Sequence, residues 1–204
     1  MTIQYHRVDA PPNDLLGFLG NLFERGASLT YGAGQVSMCD HLLQTAELAE
    51  TAGAAPALVA TALLHDVGHF GTNYDFDFTD GSHTAMQLAT CDMRHEETGV
   101  RMLKPYFGPD VPASVRLNVP AKRYLSAVDA EHYAGLTETT LHTLGLQGGP
   151  MSEEEARAFA DLPYADSAAE LRRWDDLAMI TDRPVPGFDH YKNLLQYLLD
   201  RSEL

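Results

Sequence analysis

Cysteine is scarce in this chain, and so is positive charge. Two cysteines, Cys39 and Cys91, in 204 residues are too few and too widely spaced for a disulfide framework or a zinc knuckle, so reduced thiols are expected. Lys and Arg number 14 against 29 Asp and Glu, a net charge of -15. That excludes a nucleic-acid surface, because duplex binding draws most of its affinity from Lys and Arg neutralising phosphates. Any anionic ligand must be small and locally held. No apolar run approaches the ~18 residues needed to span a bilayer, and Met1 to Asp14 carries no apolar signal core. The expectation is a cytoplasmic protein with neither nucleic-acid nor membrane partners. Repeats, linkers and low-complexity segments are lacking too.

What is present is ordinary globular usage, 45% hydrophobic and 21% charged, on a chain long enough for one domain with a sizeable core. Pro11-Pro12-Asn13-Asp14 signals a helix start, and Leu15, Leu16, Phe18, Leu19, Leu22 and Phe23 follow at helical spacing. This first helix reads as packing. Gly26 to Gly34 reads as a loop carrying Tyr31, and Gln35 to Ala52 as a helix with His41 within reach of its apolar stripe. Gly53 closes that helix and Pro56 opens the next, which runs to His65 and Asp66, where Gly68 can end it. Gly71 to Ser82 is a polar, aromatic loop, long enough to suggest function. Helices are then expected over Asp92 to Lys104, as a pair within Val115 to Tyr133, from Ala168 to Ile180 and from His190 to Leu199. In the first of these, His95, Thr98, Gly99, Met102 and Leu103 share one face. A turn at Gln147-Gly-Gly-Pro-Met151 precedes an acidic helix start at Ser152-Glu-Glu-Glu155. The fold class is all-α.

Chemistry concentrates at Ala62-Leu-Leu-His-Asp-Val-Gly-His-Phe70. An imidazole beside a carboxylate at the end of a buried helix offers a metal ion two ligands from neighbouring backbone positions. His41 lies 24 positions before His65, His95 lies 30 after it, and Asp175 sits in Leu171-Arg-Arg-Trp-Asp-Asp176. Histidines with an aspartate able to bridge suit iron, manganese or a dinuclear pair, the metals about 3.5 to 4 Å apart. Asp66 is the natural bridge.

The stretches Ala62-Leu-Leu-His-Asp-Val-Gly-His69, Arg94-His-Glu-Glu-Thr-Gly99, Ala121-Lys-Arg-Tyr-Leu125, Gln147-Gly-Gly-Pro-Met151 and Leu171-Arg-Arg-Trp-Asp175 resemble the HD-domain mixed-valent diiron oxygenases that cleave the carbon-phosphorus bond of 1-hydroxyphosphonates. The resemblance runs from about Tyr31 to the C-terminal helix. It implies a single HD domain over 1–204, with 1–30 as N-terminal helix and lead-in and 31–204 as a helical bundle around a dinuclear site. It further implies two iron ions, Fe(II)/Fe(III), one held by His41, His65 and Asp175, with Asp66 bridging to the other. The second would take His95 and, at rest, the phenol of Tyr31. Lys122 and Arg172 would clamp the phosphonate, with His69, Thr140, Thr143 and Gln147 as further donors. The implied reaction takes dioxygen and a small organophosphonate, removes hydrogen from C1 and breaks the carbon-phosphorus bond, with a hydroxylase upstream supplying the substrate.

Two positions depart from that pattern. Asn118 stands four residues before Lys122, where the family has a histidine on the second iron; an amide oxygen is a weaker ligand, which points to a loosely held second metal and impaired turnover. Gly34 stands where relatives acting on 2-amino-1-hydroxyethylphosphonate carry a glutamate for the ammonium. Its loss, with Tyr74, Phe76 and Phe78 and the charges of Asp75 and Asp77 in the long loop, suits a trimethylammonium head met by aromatic faces, worth about 0.5 to 2 kcal/mol each. The expected substrate is (R)-1-hydroxy-2-(trimethylammonio)ethylphosphonate, giving glycine betaine and phosphate. The alternatives are the 2-amino substrate, a metal-dependent HD phosphohydrolase, or a metal-poor protein that binds the phosphonate without turning it over.

Overall fold

The computed structural model describes residues 14–27, 30–31, 36–71, 86 and 89–202. Eleven α-helices, one 3-10 helix and one two-stranded ribbon make up the regular structure among them. Asp14 caps the first helix, α1 (Leu15–Gly26), through its Oδ1 on the Gly17 amide. The loop expected over Gly26 to Gly34 contains a strand: β1 (Thr30–Tyr31) pairs antiparallel with β2 (Val36–Ser37), with Tyr31 opposite Val36. α2 (Met38–Thr51) therefore starts three residues later than its apolar pattern suggests, because Ser37 stays extended and caps it by accepting from the Asp40 amide.

α3 (Pro56–Leu64) is apolar all round, with Leu58 to Leu64 buried, as befits a helix through the middle of a core. It ends at Leu64, before Gly68. A 3-10 turn, Val67–Gly71, follows and lies against α4 (His95–Leu103). Gly68 is there for clearance: a β-carbon on it would sit 1.9 Å from the His95 carbonyl oxygen and 2.6 Å from the Gly99 nitrogen. α4 begins at His95, after Arg94 in a left-handed conformation. It buries His95, Glu96, Gly99, Val100 and Leu103, so Glu96 and Val100 take the inward places expected of Thr98 and Met102.

The segment expected as a helix pair divides into parts of three, α5 (Asp110–Arg116), α6 (Asn118–Val128) and α7 (Ala130–Gly135). α8 (Glu138–Leu146) has no strong apolar period, its buried residues being Thr139 and Leu144. Gly148 and Gly149, both at positive φ, turn the chain into α9 (Glu153–Ala160), which carries a full Ser152/Glu155 capping box. α10 (Ala165–Leu177) and α11 (Phe188–Ser202) complete the order, α10 starting earlier than expected after Tyr164 in a left-handed conformation.

One core runs through α1, α2, α3, α4, α5, α10 and α11, from Leu15 to Leu195; a small second cluster of Ala121, Phe159, Ala165 and Ala168 joins α6, α9 and α10. α3 packs on α2 and α5, while α10 crosses α2, α3 and α6. The end of α3 and the starts of α4 and α6 thus meet the first turn of α2 and the C-terminal part of α10. Among the described residues, no helix is long and apolar enough to cross a membrane, and Cys39 and Cys91 are free.

A candidate dinuclear metal centre

His41 lies in the first turn of α2 and His65 at the end of α3, both fully buried. The Nδ1 of His41 donates to the Ala178 carbonyl at 3.0 Å and that of His65 to the Ala62 carbonyl at 2.8 Å. A carbonyl only accepts, so both rings carry their proton on Nδ1 and turn a bare Nε2 inward. The two Nε2 atoms stand 3.3 Å apart. Asp175, on α10, places Oδ1 3.3 Å from the first and Oδ2 3.5 Å from the second, and Asp66 Oδ2 lies 3.8 and 3.6 Å from them. Lone pairs converge from all sides, an arrangement that needs a cation at its centre. The same demand shows in His65: burial opposes its protonation, yet Asp66 and Asp175 push its pKa up to about 9.

Asp175 is anchored from behind by Arg172 Nη1 at 2.7 Å and by Asn118 Nδ2 at 3.3 Å. Burial alone would raise the Asp175 carboxyl, but Arg172 and His65 hold it well below the usual range. Asp66 is likewise held low against burial, by His65, His69 and His95. Both carboxylates stay anionic and are able to hold a cation.

Asp66 turns its other oxygen toward a second group. His95, the first residue of α4, brings Nε2 to 3.3 Å from Asp66 Oδ1, an oxygen that accepts no hydrogen bond within the protein. His69, in the 3-10 turn, places Nε2 3.8 Å from Asp66 Oδ2 and stacks on His95 with ring centroids 4.0 Å apart. The Tyr31 hydroxyl donates to Asp66 Oδ2 at 2.6 Å, its ring stacked on His41; burial of that hydroxyl and the Asp66 charge raise its pKa well above the ordinary value. Ligand atoms of His41, His65 and Asp66, and separately of Asp66, His69 and His95, lie within 4.8 Å of one another. The donor set therefore fits two ions sharing one carboxylate. Tyr31, His41, His65, Asp66, His95 and Asp175, singled out from sequence, all meet here. Asn118 meets them too, but through Asp175.

A cleft opens from this centre to solvent, bounded by Tyr31, Asp66, His69, His95, Asn118, Lys122, Thr143, Gln147 and Arg172. Thr140 lines an adjoining lobe, shared with Lys122, Thr143 and Arg172. Lys122 Nζ donates to Thr143 Oγ1 at 3.1 Å, and its pKa is lowered to about 8 by burial and the neighbouring Arg172. Arg172 is more committed: Nη1 serves Asp175, while Nε and Nη2 pair with Asp176. Gln147, at the end of α8, presents a buried Oε1 with no hydrogen-bond partner. Tyr74, Phe76 and Phe78, with Gly34, Asp75 and Asp77, lie outside the described residues.

Sequence reasoning passed over Asp176, which engages Arg172 one turn away on the same helix, a spacing legible in the chain. It passed over Glu96, whose Oε2 sits 3.6 Å from His95 Nδ1; its place beside His95 was the available signal. The carbonyls of Ala62 and Ala178 had none.

The HD domain pattern covers residues 38–179. The chain is 32% identical over 188 residues, 92% of each protein, to the [1-hydroxy-2-(trimethylamino)ethyl]phosphonate dioxygenase (glycine-betaine-forming) of Leisingera caerulea. It is 36% identical over 167 residues to the hydroxymethylphosphonate dioxygenase of Gimesia maris, covering 82% of this chain and 80% of that one. With this extent of similarity on a site built around His65 and Asp66, the chain belongs to the HD-domain hydroxyphosphonate dioxygenases.

Proposed function

We propose that the chain is a non-haem diiron oxygenase that converts (R)-1-hydroxy-2-(trimethylammonio)ethylphosphonate and O2 to glycine betaine and phosphate. The carrying observation is one carboxylate, Asp66, shared by two histidine-containing pockets at the foot of a cleft that also holds Lys122. The relative that spans 92% of the chain and bears the glycine-betaine-forming name supports this substrate. His41, His65, Asp66 and Asp175 would hold one iron, and Asp66, His95 and Tyr31 would contribute to the other, as Fe(II)/Fe(III). We read residues 1–204 as one HD domain, and infer that a hydroxylation reaction must install the 1-hydroxyl beforehand.

Bound iron supplies the activation of dioxygen and a Lewis-acid grip on the substrate oxygens. The chain's residues do the rest. Lys122, cationic below about pH 8, meets the phosphonate with Thr143 at its side, since a dianion in an acidic protein needs a fixed cation close by. Arg172 holds Asp175 in place and lends its charge to the same wall. The reaction balances: the C1–H and carbon-phosphorus bonds break, carbon gains one oxygen and phosphorus the other, and one proton is released beside hydrogen phosphate.

The test is oxygen uptake and phosphate release by iron-reconstituted protein. Equimolar oxygen and phosphate with the trimethylated substrate is the expected result. Turnover of a phosphate ester without oxygen would move the chain to the phosphohydrolases. A second substrate, hydroxymethylphosphonate, is favoured by the 36% identity to the Gimesia maris enzyme, and belongs in the same assay beside the 2-amino compound.

A further inference from the structure

Asn118 stands where the resemblance calls for a histidine on the second iron, and its amide nitrogen is engaged with Asp175. Its Nδ2 donates to Asp175 Oδ2 at 3.3 Å, on the side of the first pocket, and its Oδ1 is buried without a hydrogen-bond partner. The second pocket has another imidazole close at hand. His69, 4% exposed, stacks nearly parallel on His95, the rings 4.0 Å apart and inclined by 11°. The two rings present Nε2 to opposite oxygens of Asp66, His95 to Oδ1 and His69 to Oδ2. One ligand atom from each of the three lies within 4.8 Å of the other two, and the His–Asp66 separations, 3.3 and 3.8 Å, fall inside the span of about 4.2 Å that two donors 2.1 Å from a common ion can reach.

The backbone holds this arrangement. Gly68 lets the 3-10 turn rest on the first turn of α4 so closely that a β-carbon would meet the His95 carbonyl oxygen at 1.9 Å. The next residue, His69, is thereby brought level with His95. An imidazole is also the better ligand: for iron, a ring nitrogen outcompetes a neutral amide oxygen.

We propose that in this chain the second metal takes His69, with Asp66 and His95, as its third protein ligand, and that Asn118 is a positioning residue that steadies Asp175. The inference rests on the dinuclear reading above. It shifts a metal ligand from the start of α6 to the 3-10 turn, and explains how a family member keeps a second ion without the histidine at 118.

The experiment counts metal. Protein reconstituted anaerobically with Fe(II), and separately with Co(II), is desalted; metal per chain is measured by mass spectrometry and Co(II) coordination by its visible absorption. Two ions per chain are expected for the unaltered protein and for Asn118→Ala. In His69→Ala, and in His69→Gln, which keeps more of the volume, the second ion should bind about 10- to 100-fold more weakly, leaving one ion after desalting. His69→Ala combined with Asn118→His should recover two. Two retained ions in His69→Ala would overturn the proposal, as would loss of the second ion in Asn118→Ala. An unaltered chain holding one ion that gains a second only as Asn118→His would overturn it equally. The dinuclear reading itself fails by a different result: no more than one ion in either the unaltered chain or Asn118→His.

Discussion

In the pocket of His41, His65 and Asp175 the ligand side chains are held from behind, two by main-chain carbonyls and one by Arg172 and Asn118. In the pocket around His95 two buried oxygens lack a hydrogen-bond partner: Asp66 Oδ1 and Glu96 Oε2. The first pocket is enclosed between α2, α3 and α10, whereas the second borders the cleft. A pre-organised donor set loses little freedom on binding and gains affinity, and one with open valences stays adaptable. In the dinuclear reading proposed above, the difference would suit a division of labour, with one ion as a fixed structural and electronic partner and the other facing the substrate.

The comparison breaks most completely at Asp66, the side chain common to both pockets. Asp66→Ala should remove both ions and lower turnover at least about 100-fold, measured as metal per chain beside phosphate release; loss of a single ion would mean that the pockets are independent. Chelation sharpens the contrast without mutation. Brief exposure to a competing chelator should strip one ion per chain first, and a single concerted loss of two would show that the pockets differ less than their hydrogen bonding implies.

The cleft wall comes next. Lys122→Ala should raise KM about 10- to 150-fold, the loss of a charged hydrogen bond worth about 1.5 to 3 kcal/mol, with metal content unchanged. Burial and Arg172 bring the lysine's pKa down to about 8, so its charge is present below that pH and lost above it. The profile of kcat/KM should accordingly fall as pH rises through about 8, and Lys122→Arg should carry that limb to higher pH. The smallest effect lies farthest off: Ser152→Ala opens the capping box of α9, costing about 1 kcal/mol and about 2 to 4 °C in Tm. Metal content and turnover should stay as they were. A change in either would tie α9 to the site through Glu155 and its partner Arg123.

The candidate ligands are legible in the sequence because each sits on a helical pattern strong enough to orient it: His41 on the stripe of α2, His65 and Asp66 at the end of an apolar run, Asp175 on α10. The position of His69 is not. A short 3-10 turn has no apolar period to read, and its closeness to His95 depends on an absent β-carbon at Gly68 meeting a carbonyl 27 positions on. The start of α2 at Met38 and the strand at Tyr31 were hidden for a related reason, since two-residue strands leave no alternation and Ser37 acts through one capping bond. α8 eluded the pattern because its face is mostly exposed, and the apolar stripe that marks a packed helix is weak there.

The contact at Gly68 also works as a gauge. Side chains can change rotamer to suit an ion, but main chain resting on main chain cannot be compressed in a close-packed interior. Asp66 lies two residues to one side of that contact, and His95 supplies its other face. The spacing between Asp66 and His95 is thus set by backbone thickness rather than by side-chain reach. Any larger residue at 68 would push the 3-10 turn and α4 apart, and Asp66 and His95 with them, while leaving every one of these side chains in the chain.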